Sequence, residues 1–440
     1  MVTNEDDSET FTMRPSPLRW ALPLALTLIW LVSINTWPDT IWSWRNQLLI
    51  LTGTLGLAAM IASVLLALRL PRFERLCGGL DRMLRLHRST ALWATGLLVL
   101  HWLIVESPKW AVSAGWLTRP QRRGAPAGAG PSEFNALLHS VGNTLGEWSF
   151  YLLIVLVIVS LLAAIRYEKF RAIHKLAPVI YLGGYIHALC MLPRIGLLSP
   201  LGITLIVGGT LGAIGALYSL FGRVGKRDQL RGQVSTLNRL DSRTLEITMQ
   251  LAAPLGNYQS GQFAFFRFAG SREDHPFTLL HCSPDGRTIK IAVRDLGDHT
   301  HWLQQALKVG DAVQVTGPYG AFTLPSQPNG LWLAAGIGIA PFIAWLEQLA
   351  ARGEQRHGTT LLQCAPDEQE VPYRQRLTEL CRQTGVAYRL HLDCQSGMMD
   401  LDALAATQHA PVWFCGPEKM ADLLQARLQV PFRRELFLFR

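Results

Sequence analysis

Six apolar runs crowd the first half of the chain, at about 18–35, 46–68, 88–105, 148–165, 174–193 and 200–221. A run of roughly 20 apolar residues crosses a bilayer as an α-helix. A bilayer admits only helices or closed barrels, because each backbone polar group must find its partner within the chain. This restricts the first half to a helical bundle more tightly than any other feature. The first run is the least regular, since Pro23 interrupts it and Trp30, Trp37, Trp42 and Trp44 have the character of an interfacial belt. The whole chain is 49% hydrophobic, but that figure averages an apolar first half with a second half composed like a soluble protein.

The net charge of +9 does not indicate nucleic-acid binding, because the cations lie beside the apolar runs. Arg69, Arg72, Arg75, Arg82, Arg85 and Arg88 fall between the second and third runs. Arg166, Lys169, Arg171 and Lys175 fall between the fourth and fifth, and Arg223, Lys226, Arg227 and Arg231 follow the sixth. The opposite side carries Arg45, Arg194 and a long loop at 106–147 with Lys109, Arg119, Arg122, Arg123 and the flexible stretch GAPAGAGP (124–131). The positive-inside bias puts both termini in the cytoplasm and that loop outside. Glu5, Asp6, Asp7 and Glu9 are the wrong charge for a signal peptide, so the first run is read as a retained helix. Seven cysteines without a C-x-x-C pair argue against structural zinc or a disulfide framework.

Four histidines lie on the third and fifth runs. An ionisable side chain in hydrocarbon is costly and marks a functional candidate, and imidazole is a common axial ligand of haem iron. His87 and His101 are 14 residues apart, roughly 21 Å along a helix axis and about 40° around it. His174 and His187 are 13 apart, which in a regular helix separates them by about 140°. Gly183 and Gly184 lie between them, and a bend or rewinding there would bring both to one face. With both helices running outward, His87 pairs with His174 on the cytoplasmic side and His101 with His187 on the outer side, each pair holding one haem. His139 has no partner at matching depth and reads as interfacial.

From about 229 the periodicity changes. VSTLNRL, TLEITMQL, QFAFFRF, TIKIAVRDL and AVQVTGPYG alternate as short strands between Gly, Pro, Asn and Asp, the pattern of a small antiparallel barrel. LWLAAG (331–336), TTLLQC (359–364) and PVWFCG (411–416) are buried-strand candidates separated by helical stretches, which predicts a parallel α/β sheet. A flavin needs hydrogen-bond partners for its ring and cations or N–H groups for its pyrophosphate. HPFT (275–278), Arg294 and GDHT (297–300) offer such groups. GIGIAP (336–341) follows a strand and opens a helix, so that Gly336 and Gly338 allow a phosphate to approach a helix N-terminus. Each piece is weak alone; their order is specific.

These features resemble the NADPH oxidase and ferric reductase family of transmembrane flavocytochromes b over about residues 45–440. The resemblance rests on the 14- and 13-residue histidine spacings, HPFT, GPYGAF (317–322), AAGIGIAPF (334–342), FCGPEKM (414–420) and the terminal ELFLFR. It implies a six-helix transmembrane bundle followed by a ferredoxin-reductase-like module, an antiparallel FAD barrel plus an α/β nucleotide-binding domain. The corresponding boundaries are an N-terminal tail at 1–17, a haem domain at 18–222, an FAD domain at 229–324 and an NAD(P) domain at 325–440. By resemblance His275, Pro276, Phe277, Thr278, Gly297 and Thr300 surround the flavin and Arg294 its pyrophosphate. Gly336, Gly338 and Pro341 shape the dinucleotide turn, Cys415, Gly416 and Pro417 lie near the nicotinamide, and Phe437, with Phe439 as the alternative, stacks over the flavin. Members that prefer NADPH often place an Arg after the strand matching 359–364; here Ala365, Pro366, Asp367 and Glu368 follow, which suits NADH, with Arg374 or Arg376 the alternative contacts for a phosphate.

The expected protein is a multi-pass enzyme of the inner (plasma) membrane with a cytoplasmic reductase. Electrons from NADH or NADPH pass through FAD and two b haems to an outer acceptor. Dioxygen, giving superoxide, is the first expectation for that acceptor. A ferric chelate, drawn by Arg119, Arg122 and Arg123, and a periplasmic redox protein are the alternatives. A transporter or scaffold with structural histidines is the non-enzyme reading, and it leaves the flavin and nucleotide motifs without a purpose.

Overall fold

A computed structural model of the chain describes residues 18–34, 36–118, 133–162, 167–226, 229–271 and 273–435. The N-terminal tail, Arg119, Arg122 and Arg123 with the GAPAGAGP stretch, Arg166, Arg227, Phe437 and Phe439 lie outside the described residues. Two compact units emerge, one drawn from 15–74 and 82–224, the other from 225–439 with 75–81.

The first unit is helical: α1 (Leu18–Val32), α2 (Ile41–Ala67), α3 (Pro71–Cys77), α4 (Leu80–Ser113), α5 (Glu133–Leu161), α6 (Tyr167–His174), α7 (Ala177–Met191) and α8 (Pro200–Leu220). Helices occur in all six apolar runs. Among the described residues, four of them (α2, α4, α5 and α8) are long and apolar enough to cross a membrane, fewer than the predicted six. α1 and α7 are 15 residues each and fall short by length. Only 6% of the most apolar window of α4 is buried within the unit, and Leu92, Trp93, Leu100, Leu103 and Trp110 face outward, as lipid-exposed surface does. Thr40 and Ser43 cap α2 reciprocally, and Ser199 caps α8 ahead of Pro200.

Three sequence expectations are corrected. Arg82, Arg85 and Arg88 are not in a connection but on α4, which begins at Leu80. Arginine is a good helix former, so helix outruns the apolar stretch. α5 likewise starts at Glu133, well before residue 148. The irregularity between His174 and His187 is not at Gly183 and Gly184, which lie inside regular α7, but at residues 175–176, where α6 ends and α7 begins. Pro178 lies in the first turn of α7 and has no N–H to donate back to His174, the last residue of α6.

The second unit starts with a closed antiparallel barrel. Its strands are β1 (Gln229–Arg239), β2 (Thr244–Leu251), β3 (Phe263–Phe268), β4 (His275–Cys282), β5 (Thr288–Arg294) and β6 (Ala312–Tyr319), ordered β1-β2-β5-β4-β3-β6. Val234, Ile247, Met249, Phe266, Ile291 and Val315 fill it, and α9 (Asp298–Ala306) adds Leu303 to the same core. HPFT forms the start of β4, with Pro276 near the strand's end, where proline is better tolerated than at its middle.

A five-stranded parallel sheet follows. In chain order its elements are β7 (Gly330–Ala335), α10 (Ala340–Arg352), β8 (Thr359–Ala365), α11 (Arg374–Thr384), β9 (Ala387–Leu392), α12 (Asp393–Ser396), α13 (Leu401–Thr407), β10 (Val412–Cys415), α14 (Glu418–Arg427) and β11 (Phe432–Glu435). The strand order is β11-β10-β7-β8-β9. Trp332 on β7 and Phe342 and Trp345 on α10 are fully buried, and the Trp345 indole donates to the Ser260 carbonyl at 3.0 Å, tying the sheet layer to the barrel. The chain thus has an N-terminal membrane-helix region, then a barrel, then a doubly wound nucleotide-type domain.

α7 packs against α8 through tyrosines received by glycines. The Tyr181 hydroxyl donates to the Gly209 carbonyl at 2.8 Å and that of Tyr185 to the Ile206 carbonyl at 3.1 Å. A Cβ on Gly209 would sit 2.0 Å from the Tyr185 ring, whereas one on Gly208 would make an ordinary 3.6 Å contact with Ile61. Gly209→Ala is therefore expected to lower stability by about 1–3 kcal/mol through overpacking. Gly208→Ala should be neutral or stabilising by up to about 1 kcal/mol. Thermal melts of the detergent-solubilised protein check the opposite signs.

Candidate functional site

The four histidines come together in the predicted pairs. The rings of His87 and His174 lie with centroids 6.1 Å apart and planes at 78°; those of His101 and His187 are 6.5 Å apart at 83°. A metal bound by one nitrogen of each ring at about 2 Å, on the line joining them, needs centroids roughly 6.3 Å apart. Both spacings bracket that figure. Among the described residues no group of three or more His, Cys, Asp or Glu could hold a metal ion; a metal between either pair would have two protein ligands, which suits one already held in a planar tetradentate macrocycle.

The far nitrogens fix the tautomers. His87 Nδ1 lies 2.9 Å from the Ser63 carbonyl, His101 Nδ1 3.1 Å from that of Leu49, and His187 Nδ1 2.8 Å from that of Gly142. A carbonyl only accepts, so each Nδ1 carries the proton and each Nε2 keeps its lone pair for a metal. Ser63 Oγ and Thr52 Oγ1 stand within 3.0 and 3.2 Å of the same Nδ1 atoms. His174 Nδ1 is buried with no hydrogen-bond partner among the described residues; the Phe170 ring lies beside it, centroids 5.1 Å apart. These partners escape sequence reading, although Thr52 and Ser63, 11 residues apart on an apolar helix, lie at three helical turns.

Glycines make the room. A Cβ on Gly146 of α5 would stand 2.5 Å from His187 Nδ1, and one on Gly53 of α2 would stand 3.2 Å from the His101 ring. Beyond the His101 and His187 pair, Arg45 on α2 donates from Nε to the Ile104 carbonyl at 3.0 Å. Trp102, next to His101, stacks on Phe150 at 5.6 Å. His139 bonds to Asn143 at 3.0 Å and joins neither pair.

In the second unit, β4 splits the HPFT motif between its two faces. Phe277 packs on the barrel core and Leu279 belongs to it, whereas Leu280 joins the core of the sheet layer. By strand alternation Thr278, buried at 7% exposure, shares the outer face with Pro276 and Leu280. His275 lies flat on His299 of α9, centroids 3.3 Å apart and planes at 5°. Burial, together with the neighbouring His275, holds the His299 imidazole down at about 4, so it is neutral at physiological pH. Thr300 closes the turn into α9, its Oγ1 accepting from the Gly297 N–H at 3.0 Å and donating to the Gly297 carbonyl at 2.9 Å.

Arg294 ends β5 almost fully buried, at 7% exposure, and meets Glu370. Its Nη1 has no hydrogen-bond partner among the described residues and lies 3.7 Å from where a Cβ on Gly336 would be. A buried guanidinium with an open donor beside a glycine turn fits an anionic group such as a pyrophosphate. Gly336 has a φ of +57°, which favours glycine. A Cβ on Gly338 would sit 2.1 Å from the Cys415 carbonyl, so only glycine lets the turn close on β10. Pro341 starts α10 and is buried there.

β7 and β10 are neighbours from which the chain winds off in opposite directions. Ligands of open α/β sheets bind at such a switch point, at the carboxyl ends of the strands. Gly336, Gly338, Cys415, Gly416 and Pro417 all lie there. Burial, with the Glu435 carboxylate adding to it, pushes the Cys415 thiol well above its ordinary range. Glu435 was not anticipated from the sequence: it is 5% exposed, pairs with Cys415 across β10 and β11, and sets Oε1 3.5 Å from a Cβ placed on Gly320. A carboxylate inside an otherwise apolar and basic tail, RRELFLFR, is the available signal.

Residues 52–185 match the family model of the ferric reductase like transmembrane component, and residues 229–323 that of an FAD-binding domain. Among curated proteins, the reductase component DmpP of phenol 2-monooxygenase from Pseudomonas sp. (strain CF600) is 28% identical over 236 residues, 48% of this chain and 65% of its own length. The putative toluene-4-sulfonate monooxygenase system reductase subunit TsaB2 of Comamonas testosteroni is 35% identical over 28% of this chain and 38% of its own length. The chain thus spans less than two thirds of the relatives it matches. Flavohemoglobin from Malassezia yamatoensis, solved with bound FAD and heme, covers 86% of this chain and 94% of its own at 17% identity and a TM-score of 0.45, a similarity too low to add to the fold described above. A ferric-reductase-like transmembrane component thus stands ahead of an FAD-binding domain, the architecture of the NADPH oxidase and ferric reductase family.

Proposed function

We propose that the chain carries electrons from cytoplasmic NAD(P)H across the inner (plasma) membrane through FAD and two b haems, one between His87 and His174 and one between His101 and His187. The observation that carries this reading is the pair of imidazole spacings, 6.1 and 6.5 Å, with three of the four Nδ1 atoms bonded to carbonyls. FAD supplies the change from two-electron to one-electron transfer, and haem iron the one-electron stations that follow. Ser63, Leu49 and Gly142 hold the histidine rings in register, Arg294 neutralises the flavin pyrophosphate, and Phe437 covers the flavin. The arginines that begin α4 keep its His87 end on the cytoplasmic side, in a bundle of six spans that includes α1 and α7.

With His87 and His174 at one iron and His101 and His187 at the other, each haem would have no open position and would supply only outer-sphere transfer. Dioxygen, small enough to need no docking surface, is the acceptor best suited to such an exit and yields superoxide. A ferric chelate or a periplasmic redox protein is the second reading, favoured by Arg119, Arg122 and Arg123.

Purified protein turning over NAD(P)H is expected to produce superoxide, detected by dismutase-sensitive reduction of a reporter, faster than it produces ferrous iron from a chelate. The reverse order assigns the acceptor to iron, and neither product with reduced haem assigns it to a protein. His87→Ala and His101→Ala should each remove about half of the low-spin haem absorbance, and the double variant essentially all of it. Persistence of the absorbance in the double variant contradicts the assignment. Arg294→Gln should weaken FAD binding by about tenfold or more, the loss of a charged hydrogen bond, in fluorescence titrations.

A further inference from the structure

The segment between β8 and α11 meets a dinucleotide first, because β8 adjoins β7 at the switch point. In folds of this kind a carboxylate after the second strand accepts from the free ribose hydroxyls, and an arginine there accommodates a 2′-phosphate. Here β8 runs into Pro366, Asp367 and Glu368. Asp393 stands at the end of the next strand, β9. It lies close enough to Cys364, at the end of β8, to help burial push that thiol up to about 12. Carboxylates therefore occupy the carboxyl ends of both strands.

The two arginines that could reverse this are already committed. Arg374 meets Glu368 at the surface, so a phosphate approaching one meets the other. Arg376 is turned toward the barrel, contacting Glu347 and lying 3.8 Å from Glu246. Glu246 also accepts from the Tyr373 hydroxyl at 2.8 Å. That arrangement holds the start of α11 against the barrel and keeps the Arg376 charge there.

Resting on the reductase reading above, we infer that this enzyme is specific for NADH over NADPH, with Asp367 and Glu368 as the discriminating residues and Arg376 withheld from the nucleotide by Glu246 and Glu347.

The test is steady-state reduction of ferricyanide by the detergent-purified full chain, which bypasses the identity of the final acceptor. The kcat/KM for NADH is expected to exceed that for NADPH by about tenfold or more, a difference in binding that appears in KM. Glu368→Lys, which removes the repelling charge and releases Arg374, should raise kcat/KM for NADPH by about tenfold through KM while lowering that for NADH, so that the preference narrows or reverses. The flavin content of the variant reports that the module is intact. Equal or better use of NADPH by the wild type overturns the inference, as does a Glu368→Lys variant with full flavin content in which both nucleotides change alike. Failure of both nucleotides to reduce the flavin overturns the reductase reading itself, and the inference with it.

Discussion

An imidazole has two nitrogens, and in hydrocarbon neither can be left to water. The membrane unit is built on the answer to that constraint. On α4 the inward nitrogen of each histidine is aimed at its partner ring, and the outward one donates to a carbonyl of α2. The carbonyls used, Leu49 and Ser63, are 14 residues apart, as are His87 and His101, and the pairing runs antiparallel. One helix-to-helix register therefore fixes the orientation of two rings. α5 does the same for His187 through the Gly142 carbonyl, with Gly146 leaving room for the ring. Side chains held this way are pre-set for a ligand rather than gathered by it.

The soluble unit meets the corresponding problem with charge. Arg294 is buried, and its open donor points to a turn that only glycine can form. The parallel sheet brings that turn, Cys415 and Glu435 to one edge, where the strand order reverses. Each compact unit thus sets polar groups toward an open position: paired imidazoles in the first and a buried guanidinium in the second.

The histidine pairing was legible in the sequence because depth along a helix follows directly from residue spacing. The rings' second partners were not, since they depend on which helices become neighbours, and only tertiary packing decides that. Placing the irregularity at Gly183 and Gly184 followed from glycine's flexibility, but the fold breaks the helix ahead of Pro178, where a backbone donor is missing. The barrel and the sheet were legible from alternation and glycine turns. β4 was harder, because Pro276 weakens a strand signal that Leu279 and Leu280 restore only once β3 and β5 flank it. β9 and β11 were not anticipated: both pair on one side only, at the edges of the sheet, and carry polar residues that mask their alternation.

The central claim is that two histidine pairs hold two haems in one chain. Haem per polypeptide, measured on the detergent-purified protein by pyridine haemochrome absorbance against amino-acid analysis, tests it most directly. The account predicts a ratio of about two, with both haems low-spin as bis-imidazole ligation requires. A ratio of one or zero in folded protein that retains its flavin contradicts it.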